Sequence, residues 1–295
     1  MIDFRNQPPG YEQGIYDISF ETYQAIPALN SGKLKQLRRT PAHFKAALEG
    51  PPKEITPQLQ RTFDKGKAFD IFVLDGGLEA LKKHVAIEPG ISRQKKEYQL
   101  WKEGAVKANK LILSQTEFLG AVEMAGAAYR KKTFSHLFAN GHPHRVIVWR
   151  DPATGLWCKG EIDWITADGI VVDLKSTADA GFWFFNRNSK RLGYVNQGAF
   201  YLAGLTAVTG YRHTEFRLAA VEVDPPHESQ VFKPDSLRLS EADNENRERM
   251  ATLLRCLETD EWPGYPDQVI DLDSGIYQDE IEINEEETEE TIDGF

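Results

Sequence analysis

The chain has 295 residues, 41% of them hydrophobic, two cysteines and a formal net charge of -10 at pH 7. That length suits one large α/β domain with small additions. Two cysteines exclude a disulfide framework, and without an eighteen-residue apolar run or the charged-then-apolar start of a signal peptide, a cytoplasmic location with no membrane partner is expected.

In chain order, residues 2–28 form a polar, aromatic-containing lead with weak periodicity, read as short strands or coil. Ser31 is placed to cap a helix over 31–39, and Thr40-Pro41 opens a second helix that Gly50 ends. A proline-rich loop spans 51–57. Helices are predicted over 58–74, 98–113 and 116–133, with Pro89-Gly90 breaking the strand-like run HVAIE. Strands are predicted over 144–149, 157–165, 169–174 and 215–223, with a helix over 194–205 between the last two. After Pro225-Pro226, residues 235–257 read as one helix or a helix pair. No internal repeat is evident. Residues 1–278 are expected to form a single domain and 279–295 an acidic tail, read as disordered, with a DNA mimic in a basic channel or a partner-binding segment as the alternative. From Asp279 to Phe295 there are nine acids and no Lys or Arg, so of the 45 acids 36 remain against 35 basic residues. The body of the chain is nearly neutral, which leaves room for a local basic path to nucleic acid.

The stretch KGEIDWITADGIVVDLKST, 159–177, carries the most chemistry. The turn Ala167-Asp168-Gly169 joins two strand-like runs into an antiparallel hairpin that brings Asp163 toward the level of Asp173. Successive side chains of a strand point to opposite faces, so Asp173 and Lys175 share one face and Val172 and Leu174 take the other. Two carboxylates and an ammonium then converge, where burying charge is costly unless it is paired or bound to metal. Oxygen donors of this kind suit Mg²⁺, with Mn²⁺ as a substitute, better than zinc. A solvated strand edge or a plain salt bridge is the structural alternative.

In these motifs the chain resembles the PD-(D/E)XK nuclease superfamily. It is more narrowly similar to the RecB-like group, whose G-x-x-D, D-x-K and Q-x-x-x-Y patterns read here Gly160-Glu-Ile-Asp163, Asp173-Leu-Lys175 and Gln197-Gly-Ala-Phe-Tyr201. The ordered segments LNSGKLKQLRRTPAHFKAALE, GKAFDIFVLD, KGEIDWI, DLKSTADA and GYVNQGAFYLAG resemble the RecE-type exonuclease (exonuclease VIII) family. The resemblance implies a restriction-endonuclease-like α/β core, a central mixed sheet flanked by helices, with a helical N-terminal elaboration. It implies Asp163, Asp173 and the backbone carbonyl of Leu174 as metal ligands, and Lys175 as the group that orients or activates water. Gln197 and Tyr201, four apart on a helix, would position Lys175, water or phosphate, although core packing explains that pair as readily. The implied activity is metal-dependent exonucleolytic hydrolysis of linear duplex DNA from its ends, 5′ to 3′, leaving single strands for annealing. A ring-like homo-oligomer, a tetramer for instance, and a single-strand annealing protein are the implied partners. Rival readings are an endonuclease or a single-strand or flap nuclease on the same core, and a DNA-binding recombination scaffold with weakened catalysis.

Two departures from the family pattern stand out. The G-x-x-x-H segment reads Gly66-Lys-Ala-Phe-Asp70, so Asp70 is either a further oxygen ligand or a capping or pairing acid. The strand HRVIVWR offers His144 and Arg145 where relatives carry a glutamate; Glu161 is a candidate substitute, against the alternative of an exposed or Lys-paired carboxylate. Too few cysteines remain for the iron-sulfur cluster of some RecB-like nucleases, and Cys158 reads as a small core residue. For DNA, Arg187, Lys190 and Arg191 form the favoured basic cluster, and Lys33, Lys35, Arg38, Arg39 and Lys45 a second. The run Phe182-Trp-Phe-Phe185 beside the first is either core or a base-stacking element.

Overall fold

β-branched runs punctuated by turn residues build a sheet, and amphipathic helices cover both its faces. The computed structural model describes residues 2–51 and 55–269. The predicted acidic tail lies outside the described residues. The elements are β1 (Gly14–Tyr16), α1 (Phe20–Ala25), α2 (Ser31–Lys35), α3 (Pro41–Glu49), α4 (Pro57–Leu74), α5 (Gly77–His84), β2 (Val85–Ile87), α6 (Lys96–Lys107), β3 (Leu111–Leu113), α7 (Gln115–Arg130) and α8 (Lys132–Leu137). They continue with β4 (Gly141–Arg150), β5 (Trp157–Thr166), β6 (Val171–Thr177), α9 (Phe182–Leu192), α10 (Tyr194–Thr209), β7 (Phe216–Glu222), β8 (Ser229–Phe232) and α11 (Ser236–Thr259).

Six strands form one mixed sheet in the order β1-β4-β5-β6-β7-β8. Only β6 and β7 run parallel within it. A parallel pair needs a crossover, which α9 and α10 supply. On one face, Val171, Phe216, Leu218 and Ala220 pack with Tyr194, Phe200 and Leu205 of α10, Met250 and Leu253 of α11, and Leu34 and Phe44 of the N-terminal helices. On the other face, Val172, Leu174, Ala219 and Val221 pack with Phe69 and Val73 of α4, Met124 and Ala128 of α7, and Phe134 of α8. This is the restriction-endonuclease-like α/β arrangement, helices on both sides of a mixed sheet.

Several elements differ from the sequence expectation for local reasons. Asn30, not Ser31, caps α2, its side chain accepting the Lys33 N–H at 2.8 Å. The helix predicted over 31–39 tightens after Lys35 into a 3₁₀ turn, Gln36–Arg38. The helix predicted over 98–113 ends at Lys107, because Asn109 turns with φ 51° and Leu111–Leu113 pairs in parallel with β2. The span 116–133 breaks into α7 and α8 at the extended Lys131. Residues 235–257 belong to one continuous helix.

Candidate active site

The edge of β5 facing β6 is paired at its two ends and open between them. Ile165 and Trp164 pair with Val171 and Val172, as the hairpin reading requires. At the other end Leu29 joins β5, its carbonyl accepting the Lys159 N–H at 2.7 Å and its own N–H donating to the Trp157 carbonyl at 2.9 Å. Between these contacts the strands part, and the Asp163 side chain fills the opening by accepting the Leu174 N–H at 2.7 Å. A charge-assisted bond of this kind contributes roughly 1.5–3 kcal/mol. The β4 side is interrupted at the same level, where His144 adopts φ 48° and drops out of the ladder between the Pro143–Trp164 and Arg145–Ile162 pairs. Asp163 therefore sits where regular pairing fails on both flanks.

Asp173 and Lys175 do share a face, with Lys175 Nζ 3.0 Å from Asp173 Oδ2. Both are deeply buried, with 3% and 11% of their side-chain surfaces exposed. The Lys175 ammonium lies 4.9 Å from the centre of the Tyr194 ring, at the first turn of α10. The opposite face carries Val172 and Leu174 into the core against α4 and α7, so burial of those two side chains fixes which way Asp173 and Lys175 point.

Asp70 reaches this cluster from inside α4, four residues from the end of the helix, so it caps neither terminus. Burial and the neighbouring Asp163 carboxylate push Asp70 up to about 8, against the pull of Lys175 and His144. Burial likewise raises Asp163, opposed by Lys175 and the Leu174 N–H. Glu161 is neither exposed nor Lys-paired: it lies 3.4 Å from His144 Nδ1, while Asp75 takes His144 Nε2 at 3.0 Å. Burial alone would lower His144, but these two carboxylates raise it to about 10 and hold an imidazolium there. Arg145 points elsewhere, to Asp17 at 2.8 Å.

Gln197 Nε2 donates to the Tyr201 hydroxyl at 2.9 Å, and both side chains are buried. The Tyr201 ring lies flush on β5, where a Cβ at Gly160 would stand 2.8 Å from it. The glycine of the G-x-x-D motif and the tyrosine of Q-x-x-x-Y are thus one packing unit. Among the described residues Gln197 Oε1 is a buried acceptor with no hydrogen-bond partner.

Arg187, Lys190 and Arg191 lie on the exposed side of α9. The Lys190 and Arg191 carbonyls accept Arg38 Nη1 at 3.4 and 2.7 Å, so the two basic clusters meet. Lys35 and Arg38 line a small cleft with Gln197 and Arg249, whereas Lys33 turns to the Phe4 ring and Lys45 to Asp260. Cys158 is fully buried, as a core residue should be. Sequence reasoning missed the contributions of Asp75 and Tyr194, which lie inside the quoted segments GKAFDIFVLD and GYVNQGAFYLAG but were given no role there, and of Arg249, which lies in no motif; folding gathers all three.

Residues 30–272 match the family described as PDDEXK-like domain of unknown function (DUF3799). The chain belongs to that family. This DUF3799 chain also resembles, at 18% identity and a TM-score of 0.60, a crystal structure from Eubacterium rectale described as a "Putative exonuclease"; the alignment covers 89% of this chain and 98% of that one. That likeness shows the fold. A weaker likeness joins it to LHK-Exo in complex with dAMP, at 13% identity and a TM-score of 0.26, covering 69% of this chain and 95% of that one. No curated protein matches the chain. The family places the DUF3799 fold within the PD-(D/E)XK superfamily, whose members generally use divalent metals. Here the donor chemistry fits such an ion, since Asp70, Asp163 and Asp173 offer hard oxygens, and burial raises the pKa values of Asp70 and Asp163. Among the described residues no three His, Cys, Asp or Glu side chains form a preformed metal cage. Among the described residues no helix is long and apolar enough to cross a membrane.

Proposed function

We infer that the chain is a divalent-metal-dependent exonuclease that hydrolyses phosphodiester bonds of linear duplex DNA from an end, 5′ to 3′, leaving single strands for annealing. The observation that carries the nuclease reading is the buried Asp173–Lys175 pair at 3.0 Å, with Asp163 tied across the split strands to the Leu174 N–H. An ion pair this deep stabilises a fold poorly, because desolvation consumes most of its Coulombic gain. A site that must present a cation and oxygen donors to a phosphate gives it a purpose.

In this reading Asp163, Asp173 and the Leu174 carbonyl would hold Mg²⁺, or Mn²⁺ in its place, with Asp70 and Glu161 beside them. The ion would supply Lewis-acid stabilisation of charge on the scissile phosphate and a lowered pKa for water. Lys175 sets its ammonium beside that phosphate, stabilising negative charge as it develops and donating hydrogen bonds to the attacking water. Tyr194 walls the ammonium on one side. Gln197, fixed by Tyr201 through its Nε2, offers Oε1 as an acceptor to water. The strict duplex-end substrate, the polarity, a ring-like homo-oligomer and an annealing partner rest on the RecE-type resemblance alone.

The test is digestion of end-labelled linear duplex by wild type and Lys175→Ala with Mg²⁺, Mn²⁺ or EDTA, beside a covalently closed circle. Wild type should degrade the linear duplex with metal and spare the circle, and Lys175→Ala should lose on the order of 10²–10³ in rate. Cutting of the circle would establish an endonuclease instead. Full activity in Lys175→Ala would overturn the site assignment, and no hydrolysis with either metal would leave the scaffold reading.

A further inference from the structure

Outside the carboxylate cluster, the outer face of α9 is the part of the molecule that folding explains least. The helix buries Phe185 and Ser189, leaves Phe184 half-buried and turns Phe182 and Trp183 outward. Trp183 is 83% exposed and Phe182 53%, with their rings edge to face at 5.1 Å. Scattered exposed aliphatics are ordinary, but a nearly bare tryptophan paired with a second bare ring is a surface built for a contact. Its charge is of one sign: residues 180–214 contain no Asp or Glu, yet include Arg187, Lys190 and Arg191. Trp183, Arg187 and Lys190 recur at i, i+4 and i+7, which places them on one side of the helix. At 1.5 Å per residue, Trp183 and Lys190 are about 10 Å apart along the axis, roughly three nucleotide steps of 3.4 Å. The Arg187 guanidinium lies 5.7 Å from the Phe184 ring, so the cation is held against the aromatic surface. Position completes the case. The helix starts five residues after the end of the D-x-K strand, and its last carbonyls accept Arg38, at the cleft that Gln197 also lines.

We propose that this face of α9 is a binding site for a single-stranded segment of DNA, in which Trp183, flanked by Phe182, stacks on an unpaired base while Arg187 and Lys190 take adjacent phosphates. Any base offers a π-face, so such a platform binds without reading sequence, as an enzyme that travels along a strand requires. A second copy of the same face is a poor occupant, because it would set like charges against one another. The site deepens the nuclease reading, on which rests the inference that the bound strand leads to Lys175.

Fluorescence anisotropy of a labelled oligo-dT with the full chain in EDTA tests the platform, using wild type, Trp183→Ala, Trp183→Phe and Arg187→Ala. Trp183→Ala should weaken binding about tenfold, which corresponds to about 1.4 kcal/mol, and Trp183→Phe should restore most of it. Arg187→Ala should weaken binding and reduce the slope of log K against log salt by about one. Wild-type affinity in Trp183→Ala, or no binding of oligo-dT by wild type, would overturn the proposal. So would a change of sedimentation in Trp183→Ala with unchanged DNA binding, since the face would then join copies of the chain. Duplex hydrolysis measured in parallel separates the two readings. Hydrolysis with binding insensitive to Trp183 removes the platform alone, and Trp183-dependent binding without hydrolysis removes the nuclease reading alone.

Discussion

Substituting alanine for Gly160 tests whether the two halves of the site form one packed unit. The new Cβ would lie 2.8 Å from both Cδ1 and Cε1 of Tyr201 and 3.5 Å from Ile147 Cγ1. Tyr201 has little room to retreat, since it is 6% exposed and its hydroxyl is held by Gln197 Nε2 at 2.9 Å. Overpacking of this kind costs about 1–3 kcal/mol. The smaller unfolded-state entropy of alanine returns about 0.4–1 kcal/mol, so Gly160→Ala should destabilise by about 1–2 kcal/mol. Tyr201→Ala alone should cost about 3–5 kcal/mol as a large-to-small core change. In that background the clash is gone and Gly160→Ala should be neutral or slightly stabilising. Urea denaturation of the wild type, both single variants and the double variant would read a coupling energy of about 1.5–2.5 kcal/mol. An equal cost for Gly160→Ala in both backgrounds would refute the reasoning.

Gly198→Ala should be more severe, because a Cβ there overlaps the ring of Phe216, which is fully buried under α10; soluble yield and thermal melting would show it. At Glu117, burial opposes ionisation but the Arg61 bonds, at 2.6 and 3.1 Å, and the Ser114 capping box outweigh it and hold the carboxyl down to about 2. A folded pKa below the unfolded one stabilises above about pH 4.5 and loses that contribution as pH falls toward 2. Discounted for the partial exposure of Arg61, Glu117→Gln should cost about 1–2 kcal/mol at pH 7, and the gap should close on acidification in urea melts. Lys159, 2% exposed, is lowered by burial and by Lys33 to about 7, while its ammonium reaches the Tyr23 and Gln24 carbonyls at 2.7 and 3.0 Å. Between that value and 10.5 the unfolded chain binds the proton more tightly, so stability rises with pH across this window. Relative to Lys159→Met, wild type should gain roughly 3 kcal/mol from pH 7 to pH 10; parallel stability curves for the two would contradict the assignment.

The hairpin, its turn and the shared face of Asp173 and Lys175 were legible in the sequence because strand alternation and turn chemistry are local. Val172 and Leu174 had to point into a core, and that alone aimed their neighbours the other way. The Gln197–Tyr201 pair was legible for the same reason, as an i, i+4 spacing on a helix. Local pattern misled where a partner strand or a cap arbitrated: Leu111–Leu113 continues a helical run in sequence but pairs with β2, and Ser31 is an ordinary cap residue preceded by a better-placed Asn30. The aromatic run at 182–185 could not be divided by composition. The structure sends Phe185 inward and leaves Trp183 bare, because only the sheet and α10 decide which side of α9 is covered.

By itself, the sequence determined the D-x-K strand, the hairpin before it, and the residue types that make oxygen donors and a cation available together. Only the tertiary structure decided what surrounds them: α4 delivers Asp70 to Asp163, and His144 joins Asp75 to Glu161. The Tyr201 ring also rests on Gly160 across more than forty residues of chain. The reason is the range of the forces. Backbone geometry repeats over two to four residues and can be read along the chain, whereas burial and Coulombic energy depend on neighbours that become neighbours only on folding.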